Sequence, residues 1–587
     1  MGAGSSAEVL FENSEALTNG GVLFAVPALL SLGLDKVWKV YNWCDRSYYS
    51  LQSIALTLAF MALLRVKHPE HLKEKKPGEM GRLLGLDRIP EVRCLREKIQ
   101  YLTQQAKARE LNNSLIDTWF GSRASDEELI LYVDGHQIVY TGTKANIPVK
   151  FVSRQKLCLS ATTEFLVNDR TGLPVMALFG ELNEKLQEAI ENLIIPQMIE
   201  AGLLKRKVGR DHRTPTASSK RPSGSFDADG GCAEAPDTQT RIEDDVDPED
   251  NTPLLILVMD REAYAPEFFY RVWRDYRIAI ITYRKFIKDV WPTEAFKPIN
   301  VMLAGESVPM QLCEQETTLK NHAFREIRRN NEGKNQTSII TTHPTLPKEL
   351  IAEYMFARWS QENFLRYFGM EFGLDDWFTY SKQPVDPEKM VINPEYKRID
   401  KKLKNARRDR SILLHKVREA KEKIEVSLEA QARFMIKHRD DFEKLELLEQ
   451  RIDELIKQRK ATAQRIKVKE MTEEERYSKL ETETKTLINL VNMICYRAET
   501  AMAQNVLPFL AQGDDEKRVL IRNIMNTSAD VTPDTDKKTL IVTLHSLSAP
   551  RYNTAAENLA KLLTETESVF PGTDLRMIFK TSAFSFC

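Results

Sequence analysis

An α/β fold is what this sequence predicts: a mixed sheet core, with a helical N-terminal domain before it and a long helical or coiled-coil insertion after it. Three observations carry that reading. Short β-branched and aromatic runs cluster between residues 129 and 283. Two of them, 254–259 and 278–283, flank a helical pattern at 266–276, the strand–helix–strand grammar of a sheet covered on both faces. Residues 397–505 hold no glycine, and their apolar side chains recur at helical spacing.

Helices are expected first, over Val22 to Leu34, Tyr49 to Val66, Gly78 to Leu86 and Val92 to Ala108, punctuated by Pro69, Pro77 and Pro90. This is the unit 22–120. Between 62 and 109 it carries twelve Lys and Arg, Arg65, Arg88 and Arg93 among them, against six acids. Such a basic face is either solvated helix surface or a phosphate-binding surface.

Strand-like runs follow in 129–204: Leu129 to Asp134, Gln137 to Tyr140, Phe165 to Asn168 and Val175 to Leu178. They are separated by Gly135, Gly142 and the Asn168-Asp169-Arg170-Thr171-Gly172 turn. A helix from Asn183 to Ala201 closes this part. Residues 205–251 lose all periodicity and read as a disordered insertion or long surface loop. The unit 252–385 holds the strand–helix–strand repeat, a less regular stretch, and one long helix from Lys348 to Phe368. The 397–505 segment reads as a helical hairpin or coiled coil whose first part, 397–423, has twelve basic residues against four acidic. A small β-α-β tail is expected over 515–587.

Composition narrows the function classes. At 42% hydrophobic and 29% charged, the chain is neither wholly disordered nor fibrous. Lys and Arg number 84 against 85 Asp and Glu, which excludes a uniformly basic coat but not local basic surfaces. The seven cysteines form no CxxC pair, so neither a disulfide framework nor a thiolate zinc site is suggested, and a cytoplasmic setting is expected. The longest apolar run, Leu51 to Leu64, falls short of the ~20 residues that span a bilayer, so no membrane partner is expected. No Walker-type loop, GxSxG, GxGxxG or HxxxH pattern occurs.

The candidate site is acidic. Asp134 follows the run Tyr132-Val133, and Asp260 follows Val258-Met259 and opens Asp260-Arg261-Glu262. Acids at strand ends are where a sheet presents ligands to a cleft, although capping a turn is the plain alternative. In Arg358-Trp359-Ser360-Gln361-Glu362-Asn363-Phe364-Leu365-Arg366, the residues Arg358, Glu362 and Arg366 fall four apart, placing a carboxylate between two guanidiniums on one helix face. A surface ion-pair ladder is the alternative there, and Phe356, Trp359, Phe364, Tyr367 and Phe368 suggest that most of that helix is buried.

Together, Asp134 on a first strand, Asp260 in Asp-Arg-Glu and Glu362 in Arg-x-x-x-Glu resemble the DDE transposases of bacterial insertion sequences. Ala62 to Glu70 and Arg82 to Val92 resemble, more loosely, putative transposases related to one branch of them. That branch carries a Tyr-x-x-Arg-x-x-x-Glu-x(6)-Lys signature; here its Tyr falls on Met355, beside Tyr354, and its Lys on Gly369. The resemblance implies a ribonuclease-H-like core. It also implies metal-dependent phosphodiester cleavage and strand transfer at element ends, with Asp134, Asp260 and Glu362 as catalytic metal ligands for two Mg²⁺ or Mn²⁺ ions. Arg358 and Arg366 are then expected to contact DNA phosphate, together with the basic unit at 62–109, Arg88 and Arg93 included. Glu262 is expected to support the site rather than ligate, and His136 to hydrogen-bond. Double-stranded DNA, terminal inverted repeats, a homodimer and nucleoid association are the implied partners and setting. A nuclease that cuts without joining, and an inactive DNA-binding relative, are the alternatives.

Overall fold

The computed structural model describes residues 7–44, 47–123, 128–180, 182, 184–204, 253–287, 289–331, 335–422, 428–506 and 514–582. The loop expected at 205–251 lies outside them. A short strand β1 (Ser14–Leu17) opens the chain, followed by helices α1 (Val26–Ser31), α2 (Lys36–Val40), α3 (Leu51–Leu63), α4 (Pro77–Arg82), α5 (Val92–Thr103) and α6 (Ala108–Phe120). Ser50 caps α3 by accepting from the Ser53 N–H. Pro77 sits in the first turn of α4, where its missing N–H costs nothing.

The central sheet has ten strands. They are β2 (Leu129–Val139), β3 (Val149–Val152), β4 (Leu157–Asp169), β5 (Pro174–Phe179), β6 (Leu255–Met259), β7 (Ile278–Tyr283), β8 (Lys297–Leu303), β9 (Glu306–Leu319), β10 (His322–Asn330) and β11 (Gln336–Thr341). Their order is β3-β4-β2-β6-β7-β11-β10-β9-β8, with β5 also on β4. β2 is antiparallel to β4 and β4 to β5, whereas β2, β6 and β7 run parallel. Helices α7 (Leu186–Ala189) and α8 (Ile195–Glu200), joined by a π-helical turn, precede β6, and α9 (Pro266–Tyr276) links β6 to β7.

At β2, β6 and β7 both faces of the sheet are buried, which is why these parallel strands read as unbroken apolar runs. Leu131, Val133, Leu257 and Met259 face one core with Ile194, Met198 and Phe269. Tyr132, Ile256 and Val258 face another with Ile351 and Met355. Fully burying each such side chain contributes about 1.5–3 kcal/mol.

Three expectations are corrected here. Gly135 does not end a strand: β2 runs through it, paired with Phe165, so Leu129–Val139 is one strand rather than two. The less regular stretch after 283 is four antiparallel strands, β8–β11. One face of them is largely exposed, so polar residues alternate with Val308, Met310 and Leu312 and dilute the apolar signal. The long helix expected over 348–368 is two, α10 (Lys348–Ala357) and α11 (Trp359–Phe372), because at Arg358 the backbone tightens and the Gln361 N–H bonds to Arg358 O.

Beyond them come two short strand pairs, β12 (Lys382–Gln383) with β15 (Lys479–Leu480) and β13 (Met390–Ile392) with β14 (Arg465–Lys467). Helices α12 (Pro394–Glu422), α13 (Leu428–Lys437) and α14 (Arg439–Ala461) lie between β13 and β14. The helices expected across 397–505 thus divide. α12 and α14 form a hairpin, closed by Ile399, Leu403 and Ala406 against Ile452 and Leu455. α15 (Glu483–Asn505) instead runs through the interior, buried on almost every side.

The first described strand, β1, pairs with a strand from the last part of the chain. α16 (Asp514–Asn526), β16 (Ala529–Asp534), β17 (Thr539–Leu544), α17 (Pro550–Glu565) and β18 (Arg576–Thr581) complete the molecule, and the second sheet has the order β1-β16-β17-β18. The N-terminal helices, α11, α15 and this sheet share one core, so the tail is not packed as a separate module. Gly21 marks the seam: a Cβ there would lie 1.8 Å from Ile524 O. No helix among the described residues is long and apolar enough to cross a membrane.

Candidate active site

The parallel ladder between β2 and β6 ends at Val133↔Met259. One residue further, β2 continues as Asp134 against Leu166 of β4, while β6 stops and Asp260 enters a 3₁₀ turn at Arg261–Ala263. Strand alternation sends Asp134 to the face of Tyr132, and Asp260 to the face of Val258. These are the same face, so the sheet brings both carboxylates side by side where the neighbouring strand gives out.

Helix α11 closes over this point. The Gln361 amide donates to Tyr132 O (3.2 Å), Leu166 O (3.3 Å) and Asn168 Oδ1 (3.1 Å), locking the helix to β2 and β4. The Tyr132 hydroxyl donates to Tyr354 O at 2.9 Å, holding α10. Arg358, between the helices, is thereby set over the acids. Its Nη1 lies 4.0 Å from Asp134 Oδ2, and its Nη2 lies 2.5 Å from Glu362 Oε1. The Arg358 side chain is 15% exposed and that of Glu362 is 54% exposed. Arg366, one turn on, is exposed. Trp359 is 62% exposed, contrary to the expectation of burial, because the buried stripe of α11 runs through Gln361, Phe364, Phe368 and Phe372.

Negative charge is in surplus here. Burial pushes the Asp134 carboxyl up to about 6; Arg358 and the Gly135 N–H (2.8 Å) oppose this, and Glu262 and Asp260 reinforce it. Glu262 is likewise raised, by burial and then by Asp260, against Lys150 and Lys285. Lys150 itself is pushed down to about 8 by burial, although Glu262 and Glu184 pull the other way, and its Nζ donates to Thr163 Oγ1 at 2.7 Å. Sequence reading missed Lys150, since a lysine in a four-residue strand carries no pattern. His136, two residues beyond Asp134, pairs through Nε2 with Asp375 Oδ1 at 2.8 Å, and Arg154 joins the same carboxylate.

The structure thus brings Asp134, Asp260, Glu262 and Arg358 together and leaves Glu362 turned toward the arginine. Among the described residues no three His, Cys, Asp or Glu side chains form a ready ligand set. The donor chemistry nevertheless suits a hard divalent cation. Asp134 takes one hydrogen bond, from its neighbour's backbone, and Asp260 takes none among the described residues, so both offer free oxygens.

The basic N-terminal face is partly consumed by the fold. Arg65 turns inward, pairing with Glu371 (2.8 Å) and Glu499 (2.6 Å). Arg96 pairs with Glu70, and Arg109 with Glu200. Arg88 and Arg93 remain at the surface, 64% and 91% exposed, beside Asp87 and Glu97 respectively.

A family described as transposase protein matches residues 2–234 and 249–583. Covering nearly the whole length, this match makes the chain a member of that transposase family. Comparison with curated proteins gives no match.

Proposed function

We propose that this transposase is of the DDE type, cutting DNA at the ends of its element and joining those ends to a target. The observation that carries the reading is the placement of Asp134 on β2 and of Asp260 just past the end of the adjacent β6, on one face, beneath the helix that bears Glu362. The order β5-β4-β2-β6-β7, antiparallel through the first three strands and parallel through the last three, supports a ribonuclease-H-like core.

In this reading Asp134, Asp260 and Glu362 hold two Mg²⁺ or Mn²⁺ ions, which when bound activate the attacking oxygen and stabilise the leaving one. Asp134, on the uninterrupted strand β2 beside the end of β6, would hold metal together with Asp260 and Glu362. Glu262, whose charge Lys150 and Lys285 oppose, supports the site without ligating. Arg366 and the exposed Arg88 and Arg93 bind phosphates, and α12 supplies a second basic surface. Terminal inverted repeats, pairing of two protomers and a place on the bacterial nucleoid follow from this reading.

The test is cleavage of DNA carrying the sequences that flank the reading frame. Mg²⁺-dependent nicking by the wild type and none by Asp260→Ala are expected, and undiminished nicking by Asp260→Ala refutes the assignment. A nuclease that does not join would cut and leave pre-cleaved ends unjoined. One observation favours the inactive DNA-binding relative, namely that Glu362 is held by Arg358 rather than turned to Asp134.

A further inference from the structure

Resting on that reading, we propose that Arg358 is the resident counter-ion of the metal-free site. Its guanidinium lies between Asp134 and Glu362, two of the acids that would hold a divalent cation, so that cation binding would require the arginine to leave.

The geometry is specific. Among the described residues Arg358 is the one with an ion pair to both carboxylates, 4.0 Å to Asp134 and 2.5 Å to Glu362. Metal oxygens approach Mg²⁺ at about 2.0–2.1 Å. The guanidinium occupies a lone pair of Glu362 by hydrogen bonding, and toward Asp134, at 4.0 Å, it competes by charge and for space.

The arginine also has a reason to be there when no cation is bound. Asp260 and Glu262 act on Asp134 with like charge, Glu362 stands on the far side of Arg358, and like charges so placed repel unless a cation intervenes. Arg358 is the cation held closest to Asp134, and it is mostly buried. Packing does not pin Glu362 in its outward pose. Its side chain is more than half exposed, so it can turn inward by side-chain rotation while Gln361, Phe364 and Phe368 keep α11 in place. Arg358 sits at the junction of α10 and α11, outside the buried stripe of either helix. Once displaced, its guanidinium is free for a DNA phosphate. The arginine thus guards the acids in the empty enzyme and becomes a phosphate ligand in the loaded one.

The experiment is a Mn²⁺ titration of the full chain without DNA, by calorimetry and by the EPR signal of free Mn²⁺. Wild type, Arg358→Met, Arg358→Lys and Asp134→Asn are compared. Removing the competitor should tighten Mn²⁺ binding by Arg358→Met at least about fivefold, with Arg358→Lys between it and wild type and Asp134→Asn losing the site. Thermal melts give a second readout. Arg358→Met should melt below wild type without metal and gain more from saturating Mn²⁺. Should Arg358→Met not fold, Arg358→Lys alone must still bind more tightly than wild type. Unchanged or weaker binding in Arg358→Met or Arg358→Lys, with Asp134→Asn still losing the site, overturns the counter-ion role and leaves the metal reading standing. If wild type and both arginine variants bind no Mn²⁺ at millimolar concentration, the counter-ion role and the metal reading fail together.

Discussion

Helix α11 carries a charge cluster at each end, and the two are built to opposite rules. At its C-terminal end Arg65, Glu371, Glu499, Arg518, Arg522 and Tyr367 close on one another. Glu499, fully buried, is met by Arg65 at 2.6 Å, by Arg518 at 3.2 Å and by the Tyr367 hydroxyl, and Glu371 by Arg65 and by Arg522 at 3.1 Å. Both acids there are answered by an arginine, and the cluster ties α3, α11, α15 and α16 together. At the N-terminal end Arg358 alone pairs with any of the four acids among the described residues, Lys150 and Lys285 act on Glu262 only through charge, and Asp260 has no hydrogen-bonding partner among the described residues. A closed network serves the fold. A surplus of like charge with free oxygens costs stability, and its presence points to something bound from outside.

That contrast can be broken experimentally. The largest effect is on chemistry: Asp134→Ala and Asp260→Ala should each lower DNA cleavage by about a thousandfold or more, whereas their melts should match or exceed wild type because repulsion is relieved. A clear loss of stability in both would make the acid cluster structural. The converse holds at the other end. Glu499→Ala leaves Arg65 and Arg518 buried without their partner and should cost about 3–5 kcal/mol in denaturant unfolding.

A third, intermediate effect depends on pH. Glu164, fully buried on β4, takes a 2.6 Å bond from Asn489 Nδ2, faces Lys485 and Asp375, and is cross-strand from His136. Burial pushes it up to about 7. Its Oε2 and Asn489 Oδ1 are both without partners, as two acceptors lacking one proton would be. Because the folded-state value is the higher one, the stability it contributes is full below about pH 4.5 and lost as pH rises through about 7. Glu164→Gln should therefore remove about 2–3 kcal/mol of the fall in stability between pH 5 and pH 8. Parallel stability–pH curves for wild type and variant would contradict this.

The smallest effects belong to the exposed arginines. Arg88→Ala and Arg93→Ala should leave stability within about 0.5 kcal/mol. Each should reduce the slope of log affinity for DNA against log salt by about one.

How much of this was legible in the sequence follows from periodicity. The β6–α9–β7 unit was readable because both sheet faces are buried and the strands are unbroken apolar runs. β8–β11 were not, since a one-sided strand carries half the signal. α15 and the α12–α14 hairpin share a glycine-free composition, and only burial separates them, a property of tertiary packing. At the site, Asp134 and Asp260 were nameable as acids closing strand-like runs, Arg358 and Glu362 from their four-residue spacing, and the set of three acids from the resemblance. That Arg358 would point at Asp134 was not, because it depends on the break between α10 and α11. Arg65 was counted with the basic surface, and nothing local reveals that its partners are more than 300 residues away in the chain.

The central claim is that Asp134 is a metal-binding catalytic carboxylate of a strand-transfer enzyme, and exchanging its oxygen for sulfur tests it most directly. Joining of a pre-cleaved element end would be measured for wild type and Asp134→Cys in Mg²⁺ and in Mn²⁺. The account predicts joining by wild type with either ion, and joining by Asp134→Cys that is absent with Mg²⁺ and partly restored with the softer Mn²⁺. Undiminished joining by Asp134→Cys in Mg²⁺ would contradict it.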